Sequence, residues 1–63
     1  MPYLHLRIHE DRLTPDKETE LITALTDAVA SVYGDEIRRG TWVTLEAVPP
    51  SRWGVAGRPL PPL

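Results

Sequence analysis

The chain has 63 residues, of which 41% are hydrophobic, with no cysteine and a net charge of −2. A domain this short buries only about 60% of its unfolded surface; with no disulfide or thiolate metal site to hold it, association with other copies is expected to complete it. The acidity argues against a nucleic-acid partner, no apolar run is long enough to span a membrane, and the opening stretch lacks the basic and apolar regions of a signal peptide, so the expected compartment is the cytoplasm.

The first residue of interest is Pro2. Removal of Met1 would leave proline at the amino terminus, with its ring nitrogen a free secondary amine. An α-amino group ordinarily titrates at about 7.7–8.0, and burial or a nearby cation lowers that value. A base near working pH is the most useful kind. Residues 3–9 alternate: Leu4, Leu6 and Ile8 point one way, Tyr3, His5, Arg7 and His9 the other. That pattern predicts a half-buried strand, with Pro2 on the apolar side beside Leu4. His5 and His9 would stand about 13 Å apart at the ~3.3 Å rise of a strand, too far to chelate one metal, and are expected at the surface or an interface.

Thr14-Pro15 opens a helix, since threonine caps well and proline fits the first helical position. Asp16 and Glu18 suit the positive end of the helix dipole. Leu21, Ile22, Leu25, Ala28, Val29 and Val32 recur at helical spacing and predict one apolar stripe, while Thr23, Asp27 and Ser31 should face water. Gly34 is a natural stop, so the helix is expected over 15–33. After a charged connection from Asp35 to Gly40, residues 41–48 alternate again and predict a second strand. Strand, helix and strand with short joints make a β-α-β unit with parallel strands.

Pro49-Pro50 ends that strand. Trp53-Gly54-Val55-Ala56-Gly57 carries glycines that suggest a tight hairpin or a bulge, and residues 58–63 are a proline-rich tail expected to be extended or disordered. The helix can cover only one sheet face. The other carries Tyr3, His5, Arg7 and Trp42, and a two-stranded sheet is barely stable alone. Six of the seven basic residues are arginine, the better partner for a planar carboxylate.

Taken together, Met1-Pro2 entering an alternating strand, Arg12 just past it, one amphipathic helix and the segment Glu46-Ala47-Val48-Pro49-Pro50-Ser51-Arg52-Trp53-Gly54-Val55-Ala56-Gly57 resemble the 4-oxalocrotonate tautomerase family of the tautomerase superfamily. The resemblance covers nearly the whole chain up to Gly57. It implies a single α+β domain over 1–63, a β-α-β fold with a short C-terminal hairpin, and a sheet completed by dimerisation, usually within a hexamer built as a trimer of dimers. It implies an isomerase that needs no cofactor and no metal and acts on a small carboxylate substrate.

The resemblance also implies roles. Pro2 would shuttle a proton between an enol and the carbon α to its ketone. Arg12 would bind the distal carboxylate, Trp53 would keep the pocket apolar, and His9 falls where a backbone amide approaches the substrate. The family's second arginine, supplied by a neighbouring subunit, corresponds here to Trp42. On our own reading Arg38 or Arg39, just upstream, stands in for it. The competing reading is a non-catalytic relative, a small-molecule binding protein or a structural subunit of a mixed oligomer.

Overall fold

The computed structural model describes residues 1–61. Strand β1 (Tyr3–His9) leads through a 3-10 turn (Glu10–Arg12) into helix α1 (Pro15–Tyr33). A second 3-10 turn (Asp35–Gly40) precedes β2 (Trp42–Val48), and a third (Pro50–Arg52) precedes the two short strands β3 (Gly54–Val55) and β4 (Arg58–Pro59). The β-α-β unit, with its parallel strands and C-terminal hairpin, is the α+β architecture that the sequence predicts.

The local reasons are visible at the joints. Thr14 Oγ1 accepts from the Lys17 amide at 3.3 Å and Pro15 opens the helix. The helix ends at Gly34, whose φ of +97° favours glycine and whose N–H reaches Ala30 O at 2.7 Å. Strand β2 starts one residue later than the alternation suggests. Thr41 still belongs to the turn, donating through its amide to Arg38 O (3.1 Å) and through its hydroxyl to Ile37 O (2.7 Å). The proline-rich segment begins as a strand: Val55 pairs with Arg58 and Gly54 with Pro59. The joining residues Ala56 and Gly57 both have positive φ, 53° and 82°, the pattern of a two-residue type I′ hairpin. Residues 62–63 of the tail lie outside the described residues.

β1 and β2 pair in parallel, Tyr3 opposite Trp42 and His9 opposite Val48. Helix α1 packs on the side of Leu4, Leu6, Ile8, Val43 and Leu45, all half-buried. The apolar stripe needs correcting. Leu21, Leu25 and Val29 are half-buried and Ala30 is buried, but Ile22, Ala28 and Val32 are exposed. A sheet two strands wide covers only part of the helix's apolar arc, and Val32 on its flank stays 73% exposed.

Nor does one chain close a core. Among the described residues Ala30 is the only buried hydrophobic side chain. The accessible surface is 4921 Å² for 7.1 kDa, against about 4,100 Å² for a compact monomer of that mass. The radius of gyration is 14.4 Å, where about 11 Å is usual for this length. The molecule is a slab 43 × 24 × 14 Å, one helix over one half-sheet, and its open face fits self-association. No helix among the described residues is long and apolar enough to cross a membrane.

Candidate active site

Because β1 and β2 are parallel, the sheet has two distinct ends, and the candidate residues divide between them. Pro2 stands at the start of β1. It is half-buried, in phase with Leu4 and Leu6, and its carbonyl accepts from the Trp42 amide at 3.0 Å. Met1 is 87% exposed and lies beside Gly40. The Asp35–Gly40 turn therefore stands at the Pro2 end and carries Arg38 and Arg39 with it.

Those two arginines are not equivalent. Arg38 donates through Nη1 to Asp27 Oδ1 at 2.6 Å and through Nε to Asp35 Oδ1 at 3.1 Å. The hydrogen bond from Asp27, and after it that from Asp35, raise its pKa above the ordinary arginine value. Its guanidinium is committed to the fold. Arg39 is 82% exposed, and its Nη2 is 3.7 Å from Glu36 Oε2, a loose surface pair of little energetic consequence. Of the two, Arg39 is the one open to a ligand.

The other end holds His9, Arg12 and Trp53. The expectation of His9 at the surface or an interface needs correcting: within the single chain it is only 9% exposed. Its Nδ1 accepts from the Asp11 amide at 3.3 Å and so caps the turn that presents Arg12. Its Nε2 is buried without a hydrogen-bond partner among the described residues. Arg12 is exposed and, among the described residues, makes no ion pair. It lines a recess of ≈ 540 Å³ with Ile8, Asp11, Lys17, Glu20, Leu21 and Ala24, on the helix side of the sheet. Trp53 lies on the opposite side. Its indole N–H donates to Val48 O at 3.1 Å, and it lines a smaller recess with Arg7, Glu46, Val48 and Arg52.

A single chain thus does not bring Pro2 and Arg12 together. Pro2 and His9 are about 23 Å apart at the ~3.3 Å rise of a strand, and Arg12 lies beyond His9. That is well over the ~8 Å Debye length, so the charge of Arg12 does not act on Pro2 of the same chain.

The helix-free face holds a polar network that the sequence reading passed over. Tyr3 Oη and His5 Nδ1 each lie 2.6 Å from Thr44 Oγ1. His5 Nε2 is 3.1 Å from Glu46 Oε1, and Arg7 Nε donates to the same oxygen at 2.9 Å. The Arg7 hydrogen bond first, then that of His5, hold the Glu46 carboxyl below its ordinary pKa. The signal was available in the strand parity: once β1 and β2 pair in parallel, Arg7 falls opposite Glu46 and His5 opposite Thr44.

A family model described as "Tautomerase enzyme" matches residues 2–60, nearly the entire chain, and the chain belongs to that family. No curated protein and no solved structure matches it.

Proposed function

We propose that this tautomerase-family chain is a cofactor-independent isomerase for a small unsaturated 2-oxo acid, with Pro2 as its base and acid once Met1 is removed. The observation that carries the reading is the placement of Pro2. Pro2 stands just before β1, half-buried and in phase with Leu4 and Leu6, a setting that would favour the neutral form of an amine once the nitrogen is free, and Met1 is 87% exposed. The amine takes the enol hydroxyl proton as the carbonyl forms and the double bond shifts. It then returns that proton to carbon. Arg12 anchors the distal carboxylate, and Arg39 stabilises the charge that develops on oxygen. Trp53 lends an apolar wall, and His9 holds the turn that presents Arg12.

The 23 Å between the two ends of β1 is accommodated by a second copy. Two half-sheets joined edge to edge about a two-fold axis run antiparallel, so the start of one β1 lies beside the end of the other. Pro2 of one copy then meets Arg12 of its partner, in a dimer or in a hexamer of three dimers. A second reading, a binding protein without catalysis, draws on the observation that Pro2 lines neither of the two recesses described above.

One experiment separates them. A preparation shown by intact mass to lack Met1 should convert a simple 2-hydroxydienoate to its ketone, with a rate that rises with pH and levels off near neutrality. A preparation retaining Met1, whose Pro2 nitrogen is a tertiary amide, should be inactive. Equal turnover by both forms would refute Pro2 as the base, and no turnover by either would favour the binding protein.

A further inference from the structure

Trp53 lines a recess whose other residues the proposed function leaves unused. It opens on the helix-free face at the C-terminal ends of β1 and β2, with a volume of ≈ 290 Å³ lined by Arg7, Glu46, Val48, Arg52 and Trp53. Its charges are unevenly engaged. Glu46 is compensated, since its Oε1 faces both Arg7 Nε and His5 Nε2. Arg7 uses only Nε for that contact, and among the described residues its terminal nitrogens make no hydrogen bond. Among the described residues the Arg52 side chain has neither an ion pair nor a hydrogen bond, although its backbone is held by a bond from its amide to Pro49 O at 2.9 Å. Trp53 is fixed as well: its indole N–H is spent on Val48 O, its amide bonds Pro50 O at 3.1 Å, and its carbonyl accepts from Leu60 N at 2.9 Å. What it offers the recess is apolar ring surface on a rigid mount.

We propose that this recess binds a small carboxylate with an apolar, unsaturated body, and that Arg52 is the residue that captures the carboxylate. The planar fork of Arg52 matches two carboxylate oxygens at once, Arg7 lines the same recess, and the body of the ligand lies on Trp53. The inference deepens the proposed function and in that respect rests on it. The second-strand position that carries an arginine in the resembled family is Trp42 here, Arg38 is tied to two aspartates, and Arg52 supplies a further cation from a different element.

The test is a fluorescence titration with hexa-2,4-dienedioate in a Trp42→Phe background, where Trp53 is the sole tryptophan. The ligand should quench Trp53, and Arg52→Ala should weaken its binding roughly ten- to a hundred-fold, the range for a charge-assisted hydrogen bond. Arg52→Lys should restore part of the loss, and Arg58→Ala, an exposed arginine of β4, should leave binding unchanged. The neutral dimethyl ester should bind the parent and Arg52→Ala alike. Unchanged affinity in Arg52→Ala, or the same loss in Arg58→Ala, would overturn the assignment. Enol-to-ketone turnover measured on the same proteins, with and without Met1, keeps the two claims apart: turnover that depends on Met1 removal but ignores Arg52 in both rate and affinity leaves the tautomerase reading standing and overturns this one.

Discussion

Truncating Trp42 should loosen the assembly more than it disturbs the chain's own fold. Trp42 is 60% exposed on the helix-free face, at the first rung of the ladder, opposite Tyr3. A tryptophan carries up to ~250 Å² of surface, so about 150 Å² remains for a partner to cover. At about 25 cal/mol per Å² the limit is ~4 kcal/mol for full coverage, or ~2 kcal/mol for half. Half coverage corresponds to a roughly 30-fold weaker association for Trp42→Ala, at 1.4 kcal/mol per factor of ten. The chain's own losses are small, because the side chain has few neighbours to lose and the backbone bond from its amide to Pro2 O at 3.0 Å survives the substitution. Sedimentation velocity over a dilution series measures the association. Circular dichroism at the highest concentration should show the parent spectrum, and the melting temperature of both proteins should rise with concentration, as it does when association stabilises the fold. A parent that runs as a folded 7.1 kDa monomer at micromolar concentration, or a variant with parent-like association, would refute the argument.

Arg12→Ala should raise KM for an unsaturated dicarboxylate about ten- to a hundred-fold with a smaller change in kcat, since an anchoring charge acts in both ground and transition states; steady-state kinetics on a dicarboxylate and its monoester check this, and equal loss on both would remove Arg12 from the site. Glu46 has a folded pKa lowered from 4.5 by Arg7 and His5, so its contribution to stability is present above that value and is lost as pH falls through the lowered one. Thermal melts at neutral pH and near pH 3 should therefore show a smaller acid-induced drop for Glu46→Gln than for the parent. Ala56 sits at φ 53°, where a non-glycine residue pays about 1–2 kcal/mol. Ala56→Gly recovers that less the ~0.5–1 kcal/mol that glycine loses in chain entropy, so denaturant melts should show a gain of up to about 1.5 kcal/mol.

Local chemistry made much of the fold legible. Alternation sets strands because side chains switch faces every residue, and Thr14-Pro15 and Gly34 bound the helix because capping is satisfied within a few residues. Both signals are local, so β1 and α1 begin and end where the sequence places them. Pro2 and Trp53 were visible as residue types suited to a base and an apolar wall, and Arg12 was picked out as a carboxylate anchor by the family resemblance. Their neighbours in the fold were not, because those depend on long-range pairing. Tertiary structure alone decided that the parallel register sets Arg7 and His5 on Glu46, that Arg38 is consumed by Asp27 and Asp35 while Arg39 stays open, and that His9 is buried as the cap of the Arg12 turn. It also decided that only part of the helix's apolar arc is covered, because a sheet of two strands is narrower than the stripe it faces. Pro2 and Arg12 look adjacent in an argument about chemistry, but a straight strand holds them at opposite ends of the slab. That distance already follows from the predicted strand and its ~3.3 Å rise, whereas which side chains meet across the pair is set only by the register of β1 against β2.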